Sequence, residues 1–289
     1  MRTLSCIGAG LLGKTLCQLL SSQVRIGQVI NRSPLSSQNA VDFIGTGTPA
    51  CFADIAPAAI WLIATTDDAI ESTGQALYNS GVLKPGNIVF HCSGSVSSAA
   101  AFNFASDDIY TGSVHPIHSF ANPSESLKCF AGTHCAIEGQ PQATALLTHL
   151  FTALGALPFA IDADRKALYH ASTVMACNYL VSLLETSQQM LLASGYPAKG
   201  SSPLEPLIRQ TMDNFFKHDA KSALTGPIAR GDDHVVASHL EAMAGEPNGD
   251  LWQQVYSALG SAAVPISAQQ GQASTESLQA IAKLLLPKK

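Results

Sequence analysis

Charge is what this chain has least of. Asp, Glu, Lys and Arg make up 13% of 289 residues, roughly half the usual share of about 25%. Apolar residues make up an ordinary 46%. Disorder needs low hydrophobicity together with high charge, so this composition excludes it. The 16 Lys and Arg stand against 21 Asp and Glu, the net charge is −5, and no run of five basic residues occurs. That excludes the basic footprint of a nucleic-acid binder. Long apolar runs are also missing. The densest, residues 56–64, is about half the ~20 residues a membrane-spanning helix needs. The N-terminal MRTLSCIGAGLLG carries one Arg before an apolar run. Its glycines and its lack of a small-residue cleavage site argue against a signal peptide. The seven cysteines include no CxxC and are odd in number, which leads us to expect reduced thiols and a cytoplasmic protein. The charge shortage is concentrated in residues 1–162, which hold 6 basic and 10 acidic groups.

What is present is a regular alternation. Apolar strand-length runs cover about 3–7, 24–30, 59–64, 88–91, 109–115, 133–137 and 157–161. Helical spacing covers 10–20, 34–44, 67–79 and 142–154, with Asp67 and Asp68 expected to cap the third of these. Continuous apolar strands fit a parallel sheet covered on both faces. The expected fold is α/β, a doubly wound parallel sheet over residues 1–162. Strand signals then stop. One long apolar helix is expected over 165–194 and buried, followed by helices at 203–217, 232–243, 248–259 and 274–286, with loops at 195–206 and 261–271. Residues 163–289 therefore read as an all-α second domain.

Gly8, Gly10 and Gly13 form G-x-G-x-x-G between the first strand and first helix. In that setting the first glycine makes the tight turn, the second admits a pyrophosphate, and the third lets helix and sheet pack closely. The N–H groups of Leu11, Leu12 and Gly13 then face the phosphates at the helix N-terminus. This is the fingerprint of a Rossmann dinucleotide-binding domain. NAD binders usually place an acid at the end of the second strand. Here Asn31, Arg32 and Ser33 stand there, either as a plain polar turn or as a 2′-phosphate site. Arg32 can pair with that phosphate and Ser33 can donate to it, so we expect NADP.

Ligands in open α/β sheets lie beyond the carboxyl ends of the strands. Thr65, Ser93 and Gly94 fall there, with Gly94 expected to leave room for the nicotinamide ring and Thr65 and Ser93 suited either to the nicotinamide end or to capping the next helix. His115-Pro116-Ile117-His118-Ser119 is the densest polar segment. His115 can move the proton that accompanies hydride transfer, and Ser119 can meet the substrate. The H-x-x-H spacing also suits a metal, but no third ligand is placed, and none is expected. His91 is expected to pack at its strand end. Lys166, Tyr169, His170 and Asn178 share the long helix. At about 100° per residue, Lys166, His170 and Asn178 fall on one broad face. Each reads either as acid, base or orienter of substrate, or as a solvated or hydrogen-bonded structural group. Arg230, in TGPIARGD with Asp232 capping the next helix, can hold a carboxylate or simply pair with a nearby acid.

GAGLLG, ATTDDAI, HCSGS, SVHPIHSF, KALYHAS…CNYL and ALTGPIARGDDHVVASHL occur in that order over residues 3–245. Together they resemble a group of Rossmann oxidoreductases that carry a C-terminal helical domain of unknown function. That group is related in architecture to pyrroline-5-carboxylate reductase, ketopantoate reductase and the β-hydroxyacid dehydrogenases. The resemblance implies an NADP-binding domain, a homodimer through the C-terminal helices and an interdomain active site. One departure stands out. Asp162, Ala163, Asp164 and Arg165 replace the glycine-rich stretch that hydroxyacid dehydrogenases carry before their Lys, and His170 stands where they carry Asn. The expected activity is hydride transfer between NADP and a small carbonyl, imine or alcohol, with His115, Lys166, His170 and Asn178 around the substrate. The alternative is a non-catalytic NADP-binding sensor, which needs the glycines but not the histidines. Neither nucleic acid nor membrane is an expected partner.

Overall fold

In a computed structural model, residues 1–103, 108–197 and 202–286 are described. Two compact units divide at Ala176 and Cys177. The first contains β1 (Thr3–Ile7), α1 (Leu11–Leu20), β2 (Arg25–Ile30), α2 (Pro34–Ile44), β3 (Thr48–Ala50), β4 (Ile60–Ile63), α3 (Asp67–Asn79) and β5 (Ile88–His91). It continues with α4 (Ser98–Ala101), β6 (Tyr110–Pro116), α5 (Pro123–Cys129), β7 (His134–Gly139), α6 (Pro141–Ala153), β8 (Leu157–Ala160) and α7 (Lys166–Ala176). The second holds α8 (Asn178–Ala193), α9 (Leu204–Lys217), α10 (Ala220–Ala223), α11 (Pro227–Arg230), α12 (Asp233–Ala244), α13 (Gly249–Gln270) and α14 (Thr275–Leu284).

The eight strands form one sheet in the order β3-β2-β1-β4-β5-β6-β7-β8. The two faces are visible in β4, where side chains alternate with period two. Ile60 and Leu62 join a core with Leu16 and Leu20 of α1 and Leu147 and Phe151 of α6. Trp61 and Ile63 join another with Ile70 and Leu77 of α3. Helices thus cover both faces, which explains why strands such as β4 carry no polar side of their own.

Three sequence expectations need correction. The sheet is parallel except for β6 and β7, which run antiparallel. Gly112 lies opposite Gly139 there, and a Cβ on Gly139 (φ +134) would come within 2.5 Å of Gly112 Cα and the Thr111 carbonyl. Thr66, not Asp67, is the N-cap of α3, with both aspartates in the first turn, where they favour the helix dipole instead. The loop expected at 261–271 is helical up to Gln270 despite Pro265. Of the loop expected at 195–206, residues 198–201 lie outside the described residues.

The long helix differs most. It breaks at Cys177, and its first half belongs to the sheet unit, beyond the expected boundary at residue 162. It is also not buried. Leu168, Met175 and Val181 are 67%, 65% and 66% exposed, and only Lys166 of α7 is buried. The stretch Ala163–Ala193 has the length and apolarity to cross a membrane, which run-length counting missed because Lys166, His170 and Asn178 interrupt it. Its first turn, however, inserts Lys166 into the sheet unit, as described below.

Gly139→Ala should lower stability by about 2–3 kcal/mol in urea unfolding, through clash and a disfavoured φ. Gly245→Ala, whose Cβ would enter open space, should be near neutral.

Candidate functional site

Gly8 ends β1 with φ +89, and its N–H donates to the Ile30 carbonyl at 2.8 Å. A Cβ on Gly8 would stand 2.8 Å from Ala64 C and Thr65 N, and one on Gly13 would stand 2.8 Å from Gly8 O. Both glycines are therefore required by close backbone approach. Gly10 is different: nothing lies within 4 Å of its missing Cβ. It is the N-cap of α1 and offers no side-chain cap, and the first turn carries no acid. The N–H groups of Leu11, Leu12 and Gly13 precede the first bond of the helix, from Lys14 N–H to Gly10 O at 3.1 Å. Nearby, Thr65 Oγ1 is buried without a partner among the described residues. An open glycine, three free donors and an orphaned hydroxyl fit the pyrophosphate of a dinucleotide.

At the end of β2, Asn31 Nδ2 donates to the Ser36 carbonyl at 2.9 Å, and its N–H donates to Ser37 Oγ. Ser33 Oγ accepts from Ser36 N–H at 3.2 Å and caps α2 in a reciprocal box. Both residues are thus committed to the turn. Arg32 is exposed and takes part in no ion pair among the described residues. It is the group left free to meet a 2′-phosphate.

Ser93 is also committed. Its Oγ donates to Asp67 Oδ2 at 2.8 Å and accepts from the N–H groups of Ser95 and Val96. Asp67 accepts from Ser95 Oγ as well, at 2.8 Å. This clasp holds the loop that carries Gly94. The space at Gly94 was expected to admit a ligand ring, but histidines occupy it. A Cβ there would collide with His170 Nδ1 and lie 2.9 Å from His115 Nε2.

His115 and His170 meet edge to face, with ring centroids 5.4 Å apart. His115 Nδ1 is hydrogen-bonded to the Tyr169 hydroxyl at 2.7 Å. Burial, then the His170 and Lys166 charges, pull His115 down to about 4, so its imidazole is neutral at physiological pH. Burial pushes Tyr169 up to about 12. One proton therefore sits between two neutral groups, and the tautomer of His115 decides which of them donates. His91, by contrast, is fully buried and packs edge-on against Phe102 at 5.4 Å, as expected of a strand-end residue. His118 stacks against Phe120 and Phe130.

Beneath this cluster lies a buried ion pair. Lys166, 1% exposed, donates from Nζ to Ser113 Oγ at 2.5 Å and to Glu138 Oε1 at 3.1 Å. The Ser113 hydroxyl donates to the same Oε1 at 2.5 Å. The Ser98 N–H and hydroxyl donate to the two carboxylate oxygens at 2.8 Å each. Burial alone would raise Glu138, but the bonds from Ser113 and Ser98 and the Lys166 charge bring it below its ordinary value. Burial lowers Lys166, against the raising effect of Glu138. Lys166 is thus sealed inside the unit, with two acceptors on its ammonium group. Glu138 and Ser98 were not anticipated, although a lone carboxylate in the apolar run Cys135–Ala136–Ile137 was a visible signal.

The structure brings His115, Tyr169, His170 and Lys166 together. Asn178 is exposed at the start of α8 in the second unit, and Arg230 lies in that unit too. Arg230 Nε pairs with Asp232 Oδ2 at 2.8 Å. Asp232 is the N-cap of α12 by position but makes no side-chain cap. Ser119 is exposed, and its carbonyl accepts from Ser126 Oγ.

Residues 133–263 match the family model for a domain of unknown function, DUF2520. No curated protein matches the chain. Protein TM1727 from Thermotoga maritima is similar over 93% of this chain and 99% of its own, at 22% identity and a TM-score of 0.69. The "putative NADP oxidoreductase BF3122" from Bacteroides fragilis is similar over 88% and 96%, at 21% identity and a TM-score of 0.71. A reductive aminase from Aspergillus terreus, solved with NADPH and ethyl-5-oxohexanoate, is similar over 99% and 92%, at 14% identity and a TM-score of 0.56. These likenesses show a shared Rossmann-type fold followed by a helical region.

Lys166→Met leaves the Glu138 carboxylate buried without its cation and should cost about 3–5 kcal/mol in urea unfolding. Adding Glu138→Gln removes the stranded charge, so the double variant should be more stable than Lys166→Met alone.

Proposed function

We propose that the chain is an NADP-dependent oxidoreductase that moves a hydride between nicotinamide and a small carbonyl, imine or alcohol. The observation that carries this reading is a placement. The glycine cradle, Gly94 and the pair His115 and His170 lie at the carboxyl ends of β1, β5 and β6, on one edge of a sheet ordered β1-β4-β5-β6. Ligands of open α/β sheets bind at that edge. The folds of the "putative NADP oxidoreductase" from B. fragilis and of the reductive aminase from A. terreus solved with NADPH support the same reading.

The dinucleotide, when bound, supplies the hydride acceptor or donor. The chain's own part is to hold it and to manage the proton. Gly8, Gly10 and Gly13, with the N–H groups of Leu11 and Leu12, cradle the pyrophosphate, and Thr65 Oγ1 offers a further bond. Arg32 pairs with the 2′-phosphate. His115, neutral and held at Nδ1 by Tyr169, presents Nε2 at Gly94 beside His170. In oxidation a neutral imidazole can accept the substrate's proton. In reduction the reverse step returns that proton from the imidazolium, formed by uptake of a proton from solvent, and leaves the ring neutral. Lys166 is a positioning residue on this reading. The exposed apolar side chains of α8, including Val181 and Tyr179, support a homodimer with a second copy of this chain.

The test is NADPH oxidation screened against keto acids, aldehydes and imines. Turnover on one class is expected. Tight NADPH binding with no turnover on any class is the result expected of a sensor. Arg32→Ala should raise the KM for NADPH far more than that for NADH, and equal effects would remove the 2′-phosphate assignment. His170→Ala should lower kcat strongly while leaving NADPH affinity intact. It also removes a charge that holds His115 down, so the His115 titration seen by NMR should move from about 4 toward its ordinary value.

A further inference from the structure

The second unit contains a cavity of about 440 Å³ between α10, α11 and the end of α13. We infer that it is a binding site for a small oxyanion, a carboxylate or a phosphate. All its residues belong to the second unit, and the inference does not rest on the hydride-transfer reading.

The lining is cationic. Lys221 and Arg230 line the cavity together with Ser222 and Thr225, and among the described residues no Asp or Glu lines it. In a chain with only 16 basic residues and a net charge of −5, two cations line one cavity, and Asp232 takes up only the Nε side of Arg230. Two acids lie nearby, one on the lining arginine itself and one at the start of α10. Asp232 holds Arg230 at Nε, at 2.8 Å. Asp219 accepts from the Ser222 N–H at 2.6 Å and caps α10. Arginine has five N–H donors. With Nε taken by Asp232, its two terminal amino groups remain for an oxyanion, while Asp232 fixes the plane of the guanidinium.

The wall is rigid where the ligand would lie. Gln270 Nε2 donates to the Lys221 carbonyl at 2.5 Å and the Leu224 carbonyl at 2.8 Å, clasping the α10–α11 connection from α13. Ser267 Oγ donates to the Ile228 carbonyl at 2.9 Å. Gly226, at φ +95, turns the chain into α11, with nothing within 4 Å of its missing Cβ. These contacts hold the donor-bearing segment in place before any ligand arrives, which lowers the ordering cost of binding.

The experiment is calorimetric titration of the full chain, without dinucleotide and at constant ionic strength, with inorganic phosphate and separately with acetate. Saturable binding of at least one at one site per chain is expected, and the tighter of the two identifies the ligand class. Lys221→Gln and Arg230→Gln should each weaken it about tenfold or more, the loss expected for a charge-assisted hydrogen bond. Both side chains are exposed, so both variants should keep the wild-type circular dichroism. Absence of saturable binding of either probe would overturn the site. So would unchanged affinity in the Lys221→Gln/Arg230→Gln double variant, or binding lost in Arg32→Ala but kept in Arg230→Gln, which would place the anion at the glycine cradle instead.

Discussion

The buried pair of Lys166 and Glu138 is the constraint on which the candidate site depends. Burying two charges is favourable only when both are fully hydrogen-bonded. Here Ser113 bonds both charges and Ser98 adds two donors to the carboxylate. The four residues come from β6, β7, α4 and α7, so satisfying one carboxylate fixes four elements in register. The consequence follows from periodicity. Ser113 and His115 are two apart on a strand and point to the same face, and Lys166, Tyr169 and His170 are three and four apart on a helix. Seating Lys166 on Ser113 therefore seats Tyr169 and His170 against His115. The histidine cluster sits near the surface of the unit, and its geometry is set one layer below.

The antiparallel pairing of β6 and β7 belongs to the same arrangement. Glu138 lies directly opposite Ser113 in that register, close enough for the short bond between them. A parallel β7 would not set this pairing. The glycine pair Gly112 and Gly139, one residue farther on, lets the two strands approach where side chains would collide. The departure from an all-parallel sheet is thus tied to the residue that neutralises Lys166.

Much of this was legible in the sequence. Seven of the eight strands, the helices α1, α2, α3 and α6, the glycine cradle and the strand-end position of His115 follow from apolar period and turn chemistry, which act locally, whereas the short β3, α4 and α5 carried no such signal. Arg32 was identified by its charge in a charge-poor segment, and the structure leaves it free. Ser33 and Ser93 were equally visible, but hydroxyls bond whatever is near, and each is spent on a turn. Lys166 was recognised as special without its role being readable. An apolar helix with one lysine looks the same whether the lysine meets substrate, solvent or a buried glutamate.

The sequence by itself determined the fold class, the dinucleotide fingerprint and the set of polar residues at the strand ends. These depend on contacts between neighbours in the chain. Only the tertiary structure decided which side chains touch. It joined Glu138 to Lys166 across 28 positions and His115 to Tyr169 across 54, and it left Asn178 and Arg230 in the other unit. It also showed the long apolar helix to be exposed. Apolar character states that a surface avoids water, and does not state which surface covers it. Partner choice for a buried charge is likewise a property of the packed molecule, because the cost of leaving it unpaired arises only when water is gone.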